Sequence, residues 1–412
     1  MAQTLSSTPQ SPTDQVQSAA PARVCMHVLG RVRIDARVLR EADALVKTGM
    51  AVSIVDVEAQ RTYPREEDFQ GIRLKHVRMP SWFVPTRRFK LWFLVKAFQL
   101  FCRGTFALLR TSADVYHAQD TKALPACCIA AWLRRKPLIF DAHELPLVEQ
   151  GVTRWRRLHA LATRAFRWMI PRCIAVITVS PPIAQELQRR YGGPTPVLIR
   201  NMPNYQSPIS SDRLRRQLGL SPQTQIALYQ GNLQPNRGLD RLVYAAKFLD
   251  PGVVIVMMGR NVMDIDLEAL IAQEGVADRV KVLPPVPYEE LLEWTASADI
   301  GLTLFDPGYS FSIRMCLPNK LFEYLMAGLP VLASSLDAVA DVLKTYDVGV
   351  VAPSLEPAEI GEAINRLLAD SAALARMRKN ALAAAQKDLR WDVESQRLLQ
   401  LYQQVLGSFD KG

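Results

Sequence analysis

Lys320 and Glu323, within the segment LPNKLFEYLMAGLPV (residues 317–331), place a cation and a carboxylate three residues apart. On a helix this spacing puts both side chains on one face, where they can contact one ligand. A lysine at a helix N-terminus suits phosphate, and a carboxylate accepts hydrogen bonds from sugar hydroxyls, so the pair would describe a nucleotide site. The alternative is an exposed ion pair on a surface helix, and the segment alone does not decide between the two.

The flanking residues predict the helix that would carry this pair. Pro318 at the entrance, Gly328 as a C-terminal cap and Pro330 beyond it predict a helix over about 319–327. Apolar runs typical of buried strands lie on both sides, DIGLTLF (299–305) and VLASS (331–335). The order strand, loop, helix, strand directs the helix N-terminus to the carboxyl edge of a parallel sheet, where open α/β sheets bind ligands.

The chain of 412 residues is long enough for two domains or one large α/β domain, and its 49% apolar content supplies ample core. No uninterrupted apolar run reaches the roughly 18 residues of a membrane-spanning helix. Six cysteines show neither a CxxC pair nor metal-ligand spacing with histidine, and most lie in apolar runs. We therefore expect a cytoplasmic protein.

Strand and helix patterns alternate twice along the chain, and the natural linker is NYQSPISSD (204–212). The predicted strands include 22–30, 51–57, 114–118, 137–143, 175–180 and 197–203, then 225–231, 253–259 and 280–286. This alternation predicts two Rossmann-like parallel-sheet domains with right-handed crossovers. The resulting division is a disordered tail (1–20), a first domain (21–204), a second domain (205–386) and an isolated C-terminal amphipathic helix (387–412).

Two helical stretches of the first half, 87–110 and 154–172, concentrate basic residues in a chain of formal net charge +10. In the first stretch Lys96, Arg103 and Arg110 recur every seven residues and form a stripe. Aromatic residues surround the cations: Trp92, Phe93, Phe98, Phe101 and Phe106 in the first stretch, Trp155 and Trp168 in the second. An anionic membrane surface is the favoured partner, because no nucleic-acid motif is present. The alternative is that both helices pack on the sheet with solvated cations.

Two further motifs weigh against other functions. Asp264 and Asp266 form a literal D-x-D, but they precede the helical pattern LEALIAQEG, so helix N-capping is favoured over metal-diphosphate binding. Neither the first strand nor the turn that opens the second domain carries GxGxxG, which argues against a dinucleotide oxidoreductase.

Five motifs, in a characteristic order, resemble those of the retaining nucleotide-sugar glycosyltransferases of glycosyltransferase family 4, which have the GT-B fold. They are DAHE (141–144), ITVSPPIAQEL (177–187), IRNMP (199–203), YQGNLQPNRGLDRL (229–242) and the segment 317–331. The resemblance covers nearly the whole chain from residue 22. It implies that the second domain binds a nucleoside-diphosphate sugar, that the first binds the acceptor, and that transfer takes place in the cleft between them.

The resemblance also implies a donor site. Arg237 and Lys320 match cations that stabilise the leaving diphosphate without a metal ion or other cofactor. Glu323 matches a glutamate that binds ribose. Gly231, Asn232 and Leu321 complete the predicted donor site. Two departures from the family pattern are Met315, where relatives often have a glutamate near the transferred sugar, and Asn232, which is frequently arginine.

On the acceptor side, His143 matches a histidine near the reacting centre and joins Arg237 and Lys320 as predicted catalytic residues. Gly30, Asp120 and Glu144 are the predicted acceptor-binding residues. Asp35 and Arg37 are interpreted as mostly structural.

The resulting hypothesis is a glycosyltransferase that acts on a glycan or lipid-linked saccharide in cell-envelope synthesis, bound peripherally to the inner face of the membrane. Its expected partners are the nucleotide-sugar donor, that acceptor and an anionic membrane, with no nucleic acid and no metal. Two alternatives remain open: a non-catalytic GT-B-like binding subunit, and a nucleotide-sugar epimerase.

Overall fold

The structure, a computed structural model, describes residues 20–58, 62–79, 90–147, 156–262 and 266–409 of the chain. The predicted N-terminal tail, apart from its last residue, lies outside these ranges, as do Trp155 and Asp264. The side chains of Trp92 and Phe93 also lie outside the description. Within the described ranges, none of the helices combines the length and the apolar character needed to cross a membrane.

Eight strands build the sheet of the first domain. They are β1 (Arg23–Val28), β2 (Ala51–Glu58), β3 (Glu66–Phe69), β4 (Ile72–Arg78), β5 (Val115–Gln119), β6 (Leu138–Ala142), β7 (Ala175–Thr178) and β8 (Val197–Leu198). Their order is β3-β4-β2-β1-β5-β6-β7-β8, with every pair parallel except β3 and β4. The helices of this domain are α1 (Ala36–Lys47), α2 (Lys90–Leu109), α3 (Leu124–Arg134), α4 (Arg156–Met169) and α5 (Pro181–Tyr191). Residues of α2 to α5 pack on one side of the sheet and residues of α1 on the other.

Six parallel strands build the sheet of the second domain, after the short helix α6 (Arg213–Leu218). They are β9 (Gln225–Gln230), β10 (Val253–Met258), β11 (Val280–Leu283), β12 (Ile300–Thr303), β13 (Val331–Ala333) and β14 (Gly349–Val351), in the order β11-β10-β9-β12-β13-β14. The helices are α7 (Leu239–Ala245), α8 (Leu267–Gln273), α9 (Leu291–Thr295), α10 (Phe311–Met315), α11 (Asn319–Met326), α12 (Asp337–Tyr346), α13 (Pro357–Ala369) and α14 (Ser371–Lys387). The prediction of two Rossmann-like parallel-sheet domains is confirmed.

The antiparallel pair β3–β4 is a hairpin in addition to the predicted strands. Gln70 and Gly71 at its turn have φ values of 56° and 79°, as a two-residue type I′ turn requires. Ile72 and Leu74 are buried while Arg73 between them is exposed. This period-two alternation after a Gln-Gly pair is the sequence pattern that could have predicted the hairpin.

The C-terminal helix α15 (Trp391–Phe409) returns to the first domain. Trp391, Leu398, Leu401 and Tyr402 belong to the same apolar cluster as β1 and α1. Glu394 is fully buried and forms an ion pair of 2.8 Å with Arg200, next to the linker. The expectation of an isolated helix is therefore wrong, because its apolar face completes the core of the first domain.

Candidate functional site

A cleft of about 1010 Å³ lies between the carboxyl edges of the two sheets. This volume is at the upper end of the range for ligand pockets. The first domain contributes Asp35, Arg37, His143 and Glu144 to the lining, and the second contributes Gly231, Asn232, Arg237, Lys320 and Glu323. The structure therefore brings most of the predicted site residues to one place.

Lys320 is a buried cation without a hydrogen-bond partner in the described part of the chain. It lies in the first turn of α11, which begins at Asn319 as predicted, and the residue is only 8% exposed. Its Nζ lies 3.4 Å from the ring centroid of Tyr229 and 5.1 Å from that of Phe305. Burial, and then the charge of Arg237, lower the pKa of this ammonium well below its usual value. An anion in the cleft would relieve both penalties.

Arg237 is held at the cleft by two contacts. Its guanidinium lies 4.1 Å from the ring centroid of Phe305. With its amide oxygen turned toward the guanidinium, Gln234 accepts hydrogen bonds from Nε and Nη2 of Arg237 at 2.9 and 2.7 Å. Neither contact neutralises the charge, so Arg237 and Lys320 together make this part of the cleft positive.

Glu323 lies on α11 one turn after Lys320 and lines the same cleft. Its Oε2 accepts a hydrogen bond of 2.6 Å from Nε2 of Gln230, whose Oε1 accepts one of 2.7 Å from Thr295. Burial raises the pKa of the Glu323 carboxyl. Lys320 is buried and, within the described ranges, forms no ion pair with Glu323, so the alternative of an exposed surface ion pair is wrong.

The glycines near Lys320 allow the backbone to approach closely. A Cβ on Gly231 would lie 3.6 Å from Nζ of Lys320. Gly259 has a φ of 156°, and a Cβ there would lie 1.8 Å from the carbonyl oxygen of Gly231. Only glycine fits at position 259, directly after β10, because the backbone there lies against Gly231 in the turn that follows β9.

His143 follows β6 and reaches the cleft from the first domain. Its Nε2 lies 3.2 Å from Oδ2 of Asp141 and 3.1 Å from Oε1 of Gln119. Burial alone would lower the pKa of this imidazole, but the charge of Asp141 and its hydrogen bond raise the pKa above the usual value.

A buried charge network lies directly beneath His143. Arg37 is 3.1 Å from Oε1 of Glu41 through Nε and 2.7 Å from Oδ2 of Asp141 through Nη2. Burial raises the pKa of Glu41 to about 8, whereas Arg37 outweighs burial at Asp141 and lowers the pKa of that carboxyl. Potential metal-ligand atoms of Glu41, His117 and Asp141 lie within 4.8 Å of one another, but the guanidinium of Arg37 already supplies the positive charge here.

Asp35 and Arg37 have the predicted structural contacts and also line the cleft. Asp35 caps α1 by accepting a hydrogen bond of 3.2 Å from the backbone N–H of Val38. Arg37 organises the network under His143, and both residues also line the cleft. This network leaves no local pattern in the sequence, because Arg37 and Asp141 are 104 residues apart.

Three predicted binding residues stand apart from the cleft lining. Leu321 is fully buried in the core of the second domain, so its side chain cannot contact a donor, which corrects that prediction. The described lining residues do not include Gly30 or Asp120. Asp120 has a φ of 68°, and its backbone N–H extends the pairing of β5 with β6 by donating a 2.9 Å hydrogen bond to the carbonyl oxygen of Asp141.

Met315 and Asp266 have structural contacts. Met315 is buried in the apolar cluster of the first domain, and its carbonyl oxygen accepts a 2.7 Å hydrogen bond from Oγ of Ser180. The residue at the position of the family glutamate therefore joins the two domains. Asp266 caps α8, as predicted, by accepting from the backbone N–H groups of Glu268 and Ala269 at 3.0 and 3.2 Å.

Two family models match the chain. The model described as Glycosyltransferase Family 4 matches residues 35–202. The model described as Glycosyl transferases group 1 matches residues 210–384. Together they span most of both domains.

The chain is similar to proteins named as glycosyltransferases and to solved structures of the same fold. A D-inositol 3-phosphate glycosyltransferase of Xylanimonas cellulosilytica is 27% identical over 89% of this chain and 90% of its own. A sucrose-phosphate synthase from Thermosynechococcus elongatus has a TM-score of 0.75 and 18% identity, covering 94% of this chain and all of its own. Anabaena HepE, in complex with UDP and glucose, has a TM-score of 0.70 and 18% identity, covering 93% of this chain and all of its own.

Proposed function

We propose that the chain, which belongs to glycosyltransferase family 4 and is a glycosyltransferase with the GT-B fold, uses a nucleoside-diphosphate sugar as its donor. The sugar is transferred to a hydroxyl of a glycan or lipid-linked saccharide. The observation that carries the proposal is the unpaired, buried ammonium of Lys320, next to Arg237 in the cleft. An unpaired buried charge is costly, so its natural partner is an anion that enters with the substrate. A diphosphate fits this requirement, and the similar HepE structure contains UDP.

The two cations act on the leaving group. Negative charge develops on the diphosphate as the bond to the sugar breaks, and fixed cations and the N-terminus of α11 stabilise that charge. Glu323, held by Gln230, accepts hydrogen bonds from the ribose hydroxyls. We expect that no metal ion is required, because Arg237 and Lys320 provide the positive charge.

The transfer retains the configuration at the anomeric carbon. In the proposed front-face route the acceptor hydroxyl attacks on the side from which the diphosphate leaves, and the diphosphate takes up the hydroxyl proton. His143 contributes a cation at the sugar, because Asp141 stabilises its imidazolium form. This role predicts that His143→Ala lowers turnover in a protein that stays folded.

A donor-binding screen tests the proposal. Calorimetric titration with UDP-, GDP- and ADP-sugars should identify one nucleotide class that binds, with undiminished affinity in EDTA. If no nucleotide sugar of the panel binds, the cleft is not a donor site. If binding requires a divalent cation, the two-cation mechanism is wrong.

The acceptor is proposed from a surface that we call the outer helix face, formed by exposed residues of α2, α3 and α4 and the residues that follow these helices. Trp132 is 73% exposed, and Phe98, Phe106 and Trp168 are each more than half exposed. Arg110 lies 4.1 Å from the ring centroid of Phe106, and Arg172 lies 4.2 Å from that of Trp168. The opposite sides of these helices pack on the sheet. Each helix therefore has one side buried on the sheet and one side exposed in the outer helix face.

Exposed aromatic rings beside arginines suit the interface of an anionic membrane. The proposed location is peripheral, on the inner face of the cell membrane, with the acceptor domain over a lipid-linked saccharide of cell-envelope synthesis. Flotation with anionic liposomes should show salt-sensitive binding that is weaker in Arg110→Glu/Arg172→Glu and unchanged in Lys344→Glu, an exposed position of the second domain. Absence of binding at low salt would favour a soluble acceptor, such as the D-inositol 3-phosphate in the name of the similar enzyme.

A further inference from the structure

Gln119, the last residue of β5, connects a buried carboxyl group to the cleft histidine through one side chain. It is fully buried. Its Nε2 donates a hydrogen bond of 2.7 Å to Oε2 of Glu41 on α1. Its Oε1 accepts a hydrogen bond of 3.1 Å from Nε2 of His143, after β6. The amide thus links three elements of the first domain at the floor of the cleft.

The direction of this amide fixes the direction of the imidazole. In the structure the NH2 group of Gln119 faces Oε2 of Glu41, which accepts its hydrogen bond, and the carbonyl oxygen of Gln119 faces His143. An amide oxygen can only accept, so Nε2 of His143 must carry a hydrogen whether the ring is neutral or charged. Oδ2 of Asp141 lies 3.2 Å from the same nitrogen. Both acceptors therefore hold Nε2, and within the described chain no hydrogen bond is made to Nδ1.

His143 has two carboxyl groups and one guanidinium close to it. Asp141 and Glu41 share the single guanidinium of Arg37. Asp141 and Glu41 favour the imidazolium, Arg37 opposes it, and His117 is a neighbour whose own pKa is lowered to about 4, mainly by burial. Gln119 is the neutral member of this group, so its contribution is the hydrogen bond itself and not a charge.

We propose that Gln119, oriented by Glu41, is a positioning residue that holds Nε2–H of His143 toward the protein and Nδ1 toward the cleft. It acts through His143 and does not touch the substrate. The proposal rests on the proposed function, since a sugar in the cleft is what His143 would contact. The hydrogen bond itself exists without any ligand, so it can be tested separately.

Two variants of similar shape make opposite predictions for His143. In Gln119→Leu the acceptor is lost, the imidazolium loses a hydrogen bond, and the pKa of His143 falls. In Gln119→Glu the new carboxyl shares one proton with the neighbouring carboxyl of Glu41. The pair then carries one negative charge close to Nε2, and the pKa of His143 rises. NMR titration of the ring carbons in protein with isotope-labelled histidine measures both, and His143→Ala identifies the resonance among the five histidines.

Thr111→Val is the matched control. Thr111 is buried in the same domain but outside the cleft, and its hydroxyl donates a hydrogen bond of 2.9 Å to the carbonyl oxygen of Ala107. It should leave the pKa of His143 unchanged. In the active enzyme, Gln119→Leu should lower kcat by about 10- to 100-fold while KM for the donor stays within about twofold, as misplacement of a reacting group does.

A shift of the His143 pKa in the same direction in both variants, or no shift in either, would overturn the proposal. If only one variant folds, its single predicted direction decides. Opposite shifts in a protein that turns over no nucleotide sugar would support the hydrogen bond and contradict the proposed function. An unchanged pKa in an active enzyme would contradict the positioning role alone.

Discussion

Replacing Lys320 by methionine should make the ligand-free protein more stable and its donor binding weaker. Methionine has a similar length and no charge. In the wild type the ammonium has no hydrogen-bond partner in the described structure, and its contact of 3.4 Å with the ring of Tyr229 only partly offsets its burial. Removing an unsatisfied buried polar group should gain about 1 kcal/mol or more. For a domain of this size that corresponds to a Tm increase of roughly 2–4 °C.

The same substitution removes the charged partner of the diphosphate. A hydrogen bond to a charged group contributes about 1.5–3 kcal/mol, so Kd for the nucleoside diphosphate should rise about 10- to 150-fold. Thermal unfolding without ligand and calorimetric titration with the nucleoside diphosphate measure the two effects. Lys344→Met, at an exposed position of α12, is the control and should change neither quantity.

The reasoning fails if Lys320→Met binds the diphosphate as tightly as the wild type. It also fails if the variant loses stability to the extent expected for a structural cation. In either result the Lys320 ammonium would not be reserved for an incoming anion.

Four further predictions follow from the same site. Because the pKa of Lys320 is lowered from 10.5, the folded ligand-free protein binds fewer protons than the unfolded chain, and its stability should increase as pH rises between the folded and unfolded pKa values. Bound diphosphate should raise the pKa of Lys320 again, so calorimetric titration in buffers of different ionisation enthalpy should show proton uptake on binding, and Lys320→Met should abolish this uptake. Arg237→Gln should lower kcat/KM in steady-state kinetics by about 30- to 1000-fold, equivalent to about 2–4 kcal/mol of transition-state stabilisation. A wild-type kcat/KM in this variant would contradict the role of Arg237. Glu323→Gln should raise KM for the donor with little change in kcat, and a selective loss of kcat would contradict a ribose contact. Gly238→Ala should lower the free energy of unfolding in urea by about 1–3 kcal/mol, because φ at this position is 72° and the new Cβ would lie 2.4 Å from the carbonyl oxygen of Leu304. An unchanged unfolding midpoint would show that the backbone adjusts.

Local patterns in the sequence were sufficient to predict most of the fold. The helix over Asn319–Met326 has its proline before it and its glycine after it, and Gly328 has the positive φ of a C-terminal cap, 72°. The central strands are continuous apolar runs, as buried parallel strands are. Periodicity also explains the error at Leu321, since a residue next to Lys320 on a helix points about 100° away, here into the core.

Long-range contacts could not be predicted in this way. The packing of α15 on the first domain joins residues such as Tyr402 and His117, which are 285 positions apart. Gln119 and Glu41 are ordinary members of a strand and a helix until the fold places them 2.7 Å apart. Lys320 is identified as a cation by its residue type, but its lack of a partner is a property of the folded cleft.

Product analysis determines whether the protein transfers a sugar and with which stereochemistry. The protein is incubated with the nucleotide sugar that binds, first alone and then with a panel of lipid-linked and soluble acceptors, and products are identified by NMR. We predict a glycosylated product that forms only with an acceptor, retains the anomeric configuration of the donor sugar and is strongly reduced in Lys320→Met and Arg237→Gln. An epimerised donor without acceptor, an inverted product or no turnover of any donor would contradict the account.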